Sequence, residues 1–178
     1  MIGFLRCVGV LNAGVWFGSA VFFSFVVAPG IFSSEVKGLL GETWYPYMSG
    51  AIAQILISRY LNLQLVCGVI ALLHLMGENL YFGRTPQKIW LGLLAALISL
   101  SLIGGFWLQP RLKELHRVKY SAVASTERRQ AAAQSFKTWH GISQVLNMLM
   151  LAGLGVHLCR VAARDEDNRF VSTGKFRS

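Results

Sequence analysis

The segment Ile89–Pro110 reads IWLGLLAALISLSLIGGFWLQP, 22 residues without an acidic or basic side chain. An α-helix needs about 20 apolar residues to cross the hydrocarbon core of a bilayer, because each residue adds about 1.5 Å. This stretch is long enough to span a membrane. It carries Trp90 and Trp107 towards its ends, where an indole finds both an apolar and a wet neighbour. Three more charge-free blocks, residues 7–34, 60–77 and 138–159, lie on either side of it. With Tyr81 closing one and Trp139 opening another, they predict four transmembrane helices at about residues 11–32, 60–81, 89–109 and 139–161.

Composition points the same way. Of 178 residues, 54% are hydrophobic and 14% charged, and the mean hydropathy is +0.50. Soluble domains carry about 25% charged residues, and disordered chains are polar and poor in aromatics, so both classes are excluded. A net charge of +9 would suggest nucleic acid in a soluble protein. In a chain built of apolar blocks the partner is the lipid bilayer, and no nucleic-acid role is expected. The fold class is all-α: a polytopic membrane four-helix bundle with helical extensions on the side opposite the termini.

Four crossings put both termini on one side. This terminal side carries Arg6, Arg84, Lys88, Arg160, Arg164, Arg169, Lys175 and Arg177. The other side carries Lys37, Arg59, Arg111, Lys113, Arg117, Lys119, Arg128, Arg129 and Lys137. Eight against nine is too even for the positive-inside rule to fix the orientation. The polar tail has no evident reason to be exported, so the termini are expected in the cytoplasm. The first span is expected to be retained, because no small-residue cleavage pattern interrupts it before Pro29.

Residues 111–137 lack Gly and Pro, and Leu112, Leu115 and Val118 recur at helical spacing. They predict an extramembrane helical hairpin, or cap, that turns around Ala124–Glu127, with Pro110 bending its first arm. The domain division is then residues 1–163 for the membrane domain and 164–178 for the tail. Gly14 and Gly18, and Gly92 with Ala96, have the spacing of close helix packing. Cys7, Cys67 and Cys159 are scattered and form neither a disulfide framework nor a thiolate metal site.

Polar residues are costly in hydrocarbon and are therefore the functional candidates. His140, Ser143, Gln144 and Asn147 are spaced i, i+3, i+4, i+7, on one face of span four. They suit a ligand cavity opening to the cap side, or a hydrogen-bonded seam between helices. Arg59 and Asn62, at the start of span two, and Gln109, at the end of span three, lie at similar depth and are expected to complete that cavity. Cys67, His74 and Glu78 fall within about 40° on span two and offer a weaker metal or haem site, with His140 as a further ligand. The plainer reading pairs Glu78 with His74 or Arg84. His74 and His140 differ in depth by about 20 Å, which argues against one haem clamped between them. Met148 and Met150 differ by about 200° and do not share a stripe. No hydrolase, zinc-protease, P-loop or Rossmann motif is present, so no catalytic residue is assigned and a non-enzymatic role is expected.

The blocks Leu11-Asn12-Ala13-Gly14-Val15-Trp16-Phe17-Gly18, Trp44-Tyr45-Pro46-Tyr47, Trp107-Leu108-Gln109-Pro110-Arg111 and His140-Gly141-Ile142-Ser143, followed by Asn147, resemble the transmembrane protein 205-like family, a domain-of-unknown-function family, in its bacterial form. The resemblance covers residues 8–158 or so. It implies a four-helix integral protein of the inner or plasma membrane, without an established activity and with a hint of soft-metal handling. By position it points at Asn12, Trp16, Gly18, Pro46, Pro110, His140, Gly141, Ser143 and Asn147. A fainter likeness to copper-resistance and haem-pathway membrane proteins goes with it.

The expected function is to bind or move a small ligand or metal ion through the polar face of span four. Asn12 and Trp16 join the ligand set on the strength of the resemblance. The alternatives are a redox protein holding b-type haem and an accessory subunit among other membrane subunits.

Overall fold

A computed structural model describes residues 2–82 and 88–174. Among the described residues every long element is a helix and no strand occurs. Helix α1 is Ile2–Phe22, continued through a π-helical segment at Phe23–Val27 into α2, Ala28–Ile31. Helix α3 is Ser34–Phe82, α4 is Lys88–Leu102, and a second π-helical segment at Ile103–Leu108 leads into α5, Gln109–Lys119. Helix α6, Thr126–Gly174, completes the chain.

Four helices are long and apolar enough to cross a membrane: Gly3–Ile31, Ser34–Tyr81, Lys88–Lys119 and Thr126–Ala163. The chain is accordingly a multi-pass, all-α membrane protein. Helix α1 packs on α3 and α6, and α4 packs on the same two, so the four form a closed ring with each crossing antiparallel to its sequence neighbour. Most large apolar side chains point outward: Phe25, Phe106, Leu80 and Ile89 are exposed on the outer surface. In water this would be untenable, but hydrocarbon solvates it.

The interior divides into two halves. Towards the termini, Trp16, Cys67, Ala71, Leu75, Leu94, Leu97 and Leu154 form a dry core. Backbones approach closely there, since a methyl group added at Gly68 would lie 2.9 Å from Ile98 and one at Gly153 would lie 2.8 Å from Leu97. Gly14, Gly18 and Gly92 behave differently from their expected role in packing. A methyl group at any of them meets nothing within 4 Å, so they face outward. Towards the cap the ring opens around the cavity described below.

Three interruptions shape the helices. Gly41 breaks α3 with φ 71° and ψ 154°, a backbone region that glycine alone enters at little cost. Lys37 and Glu42 pair across this corner at 2.9 Å. Pro29 and Pro110 each follow a π-helical segment. Proline lacks the N–H that would bond the carbonyl four residues earlier, and its ring crowds that carbonyl. The backbone widens instead, and the Ala28 and Gln109 N–H groups bond carbonyls five residues back, at Phe23 and Gly104.

The cap is the α5–α6 hairpin, and its turn lies earlier than expected. Helix α5 ends at Lys119, residues 120–125 form the turn, and the Ser125 hydroxyl accepts the Arg128 N–H at 3.3 Å to cap α6. Thr126 and Glu127, expected in the turn, already begin the helix. At the other end α6 runs on to Gly174, through residues that composition sets apart as a tail. Arg84, Lys175 and Arg177 lie outside the described residues, and with them the suggested Glu78–Arg84 pair.

Candidate ligand-binding site

In the cap half the ring encloses a cavity of about 450 Å³ to which all four crossings contribute. Phe23, Phe32, Ile57, Leu61, Leu100, Leu108, Leu112, Met148 and Met150 supply apolar walls. Ser24, Gln54, Tyr60, Gln64, Ser101, Gln109, His140, Ser143, Gln144 and Asn147 supply polar atoms. No Asp, Glu, Lys or Arg is among the lining residues. Both π-helical segments border it, through Phe23 and Ser24 on one side and Gly104 and Leu108 on the other. Within the second of them Gly104, which has no methyl group, sits close to Leu61. Such segments recur at functional sites.

The polar atoms are mostly bound to one another. Asn147 joins three crossings: its Nδ2 donates to Ser24 Oγ at 2.8 Å, and its Oδ1 accepts the Tyr60 hydroxyl at 3.4 Å. Gln109 Nε2 donates to the Gln54 carbonyl at 3.2 Å, tying α5 to α3. Ser143 donates to the His140 carbonyl at 2.8 Å, and Gln144 Nε2 lies 3.4 Å from His140 Nε2. Ser101 donates to the Leu97 carbonyl. At the floor, where cavity meets dry core, the fully buried Trp16 donates its indole N–H to Gln64 Oε1. The buried amide nitrogens Gln64 Nε2 and Gln54 Nε2 have no partner among the described residues.

Of the residues singled out from sequence, the structure brings His140, Ser143, Gln144, Asn147 and Gln109 together around the cavity. Trp16 stands behind its floor. Asn12 lies deeper and donates to the Cys67 carbonyl at 3.0 Å, so its side chain ties α1 to α3. Arg59 and Asn62 do not join them: both are exposed on the far side of α3. Taking Gln64 as the reference at about 100° per residue, Tyr60 is about 40° away, but Arg59 and Asn62 are about 140° and 160° away. The α3 contribution is therefore made by Gln54, Tyr60 and Gln64. The signal for it was a glutamine in mid-span with a tyrosine one turn before it. Met148 and Met150 both reach the cavity despite their angular separation, because it wraps around that turn of α6.

The second candidate cluster does not assemble as a site. His74 Nε2 lies 2.8 Å from the Leu5 carbonyl, and its ring fills the space beside Gly9, where a methyl group would come within 2.5 Å of it. Glu78 is 4.0 Å from the same nitrogen. Cys67 is buried in the dry core. Among the described residues no three His, Cys, Asp or Glu side chains converge as a metal would require. His157, a further histidine of this half, is buried edge-on to Trp16 at 5.8 Å.

Above the cavity a row of rings links cap to mouth. His116 stacks on Tyr47 at 5.5 Å, contacts Tyr120 at 4.9 Å and lies 6.0 Å from Phe136, which in turn stacks on His140 at 5.8 Å. His116 is buried, with Nε2 unpartnered and seated against Gly50, where even a methyl group would collide with it. Burial, with the Lys119 ammonium nearby, pushes its pKa below the ordinary 6.5.

Residues 11–121 match the model of a family described as a domain of unknown function, DUF4149. The match takes in α1 to α5, and thus the Gln54, Tyr60, Gln64 and Gln109 walls, and stops before His140. The narrower transmembrane protein 205-like name is not what the match gives. No curated protein and no solved structure matches the chain.

Proposed function

The chain belongs to the DUF4149 family, and from that premise we propose that it binds an uncharged, largely apolar small molecule in the cap-side cavity. One observation carries this reading: a cavity of about 450 Å³ inside a membrane bundle, lined without a single Asp, Glu, Lys or Arg side chain. The size is that of small-molecule sites, which bury most of a ligand among apolar walls with a few polar atoms to orient it. An ionised ligand would leave its charge uncompensated in a low dielectric, which costs several kcal/mol. A neutral molecule already dissolved in the lipid does not meet that barrier.

A metal ion is the second reading: Met148, Met150 and His140 supply soft donor types to the lining, although His140 lies about 12–15 Å along α6 from the methionines, too far for them to share one ion. A hard cation finds only neutral oxygens and nitrogens there. Haem draws no support from His74, whose ring is already engaged by the Leu5 carbonyl and closed in against Gly9. An accessory role would use the outward glycine faces of α1 and α4 rather than the cavity.

The test uses N-phenyl-1-naphthylamine, a neutral apolar fluorophore, titrated onto the protein in nanodiscs, with elemental analysis of the same sample. Saturable binding that is lost when Leu100→Trp fills the cavity is expected. Binding that does not saturate, or that ignores Leu100→Trp in a folded protein, overturns the reading. A stoichiometric soft metal that disappears in His140→Ala would establish the second one instead.

A further inference from the structure

We infer that Gln64 selects the ligand, and that the molecule held in the cavity presents a carbonyl-type hydrogen-bond acceptor to the Gln64 side-chain amide. This rests on the proposal that the cavity takes an uncharged guest, and it adds what that guest must carry. Gln64 is 1% exposed, in the middle of a membrane-crossing helix. Which end of its amide points where is decided by Trp16, because an indole N–H can only donate. The atom facing Trp16 is therefore the oxygen, and Nε2 is turned away from it with two hydrogens and no acceptor among the described residues. Leaving a buried donor unpaired is costly, and hydrocarbon offers no partner of its own.

Several other polar side chains of the wall are already engaged. Asn147, Gln109, Ser143 and Ser101 direct their donors to neighbouring protein oxygens. Gln54 Nε2 is also unpartnered, but its side chain is only part-buried and does not carry the case. What the cavity floor offers is thus a donor. A ligand meets it with an accepting oxygen, and with no Lys or Arg in the lining a carboxylate or phosphate, which would also accept, finds no fixed cation there to offset its desolvation. The class that remains is the neutral lipid-soluble carbonyl compound: ketone, ester or quinone.

Two probes separate this inference from the proposal beneath it. One is an alkan-2-one carrying an ω-trifluoromethyl group, the other the matching alkane, each titrated into nanodiscs and followed by ¹⁹F NMR. The wild type is expected to prefer the ketone by about tenfold, the worth of one hydrogen bond to a donor otherwise left bare. Gln64→Leu is expected to abolish the preference while the alkane still binds. A second readout needs no variant: the infrared stretch of a ¹³C-labelled ketone should shift to lower wavenumber on binding. If both probes bind equally and the stretch does not move, the role of Gln64 is wrong and the cavity proposal survives. If neither probe binds saturably, the cavity proposal itself falls.

Discussion

A histidine ring boxed by Tyr47, Tyr120 and Phe136, with one nitrogen unpartnered, has to remain neutral to stay where it is. Protonated His116 would put a cation beside the Lys119 ammonium with no carboxylate in the box. Its pKa in the folded protein therefore lies below 6.5. The neutral ring's contribution to stability is accordingly complete above the unfolded value and is lost as the pH drops below it. Melting temperature should fall from about pH 7 to about pH 5, and His116→Phe should flatten that slope. Equal slopes in the two proteins would show that acid acts elsewhere. At this scale the span-four face was legible from spacing alone, since i, i+3, i+4, i+7 fixes one side of any helix. The α3 wall was not, because Arg59 and Asn62 drew attention by polarity while angle assigned the wall to Tyr60 and Gln64.

Elements were legible where apolar length decides them and less so where the backbone departs from the α form. All four long apolar helices could be read from charge-free blocks. Pro110 announced an irregularity, but whether a proline kinks, breaks or widens a helix depends on the packing of both flanks. Nothing at Ala124 or Glu127 fixed the turn there; the cap formed by Ser125 placed it a few residues earlier. The π-helical form makes its own prediction. A turn closed by an i→i−5 bond holds one residue more than an α turn. Deleting Gly105 should let Gln109 bond Gly104 in the α manner and leave both flanks facing as they do now. That variant is expected to purify as a monodisperse, folded protein with much weaker N-phenyl-1-naphthylamine binding. Deleting Ala96 from α4 rotates everything beyond by about 100° and should not give a folded protein. If both deletions behave alike by size exclusion and circular dichroism, the segment has no special tolerance.

For the whole molecule, four antiparallel crossings predict that the cap and the amino terminus face opposite compartments, although charge does not say which is which. In a background without native thiols, Val123→Cys, whose parent side chain is 97% exposed, and Gly3→Cys report this directly. A membrane-impermeant maleimide applied to intact cells should label one and reach the other only after permeabilisation. Labelling of both from the same side would mean an even number of crossings between them. The arrangement of a close-packed base and an open upper half could not be read from sequence, since it depends on which faces of four helices meet at each level. It also determines how the molecule answers to compression. The cap half holds a cavity of about 450 Å³, while the other half is built of close-packed core side chains. Pressure favours whichever state has the smaller volume, and unfilled internal space is what collapse removes. Squeezed, this bundle would yield from the cap downward, and a guest that occupied the space would stiffen it.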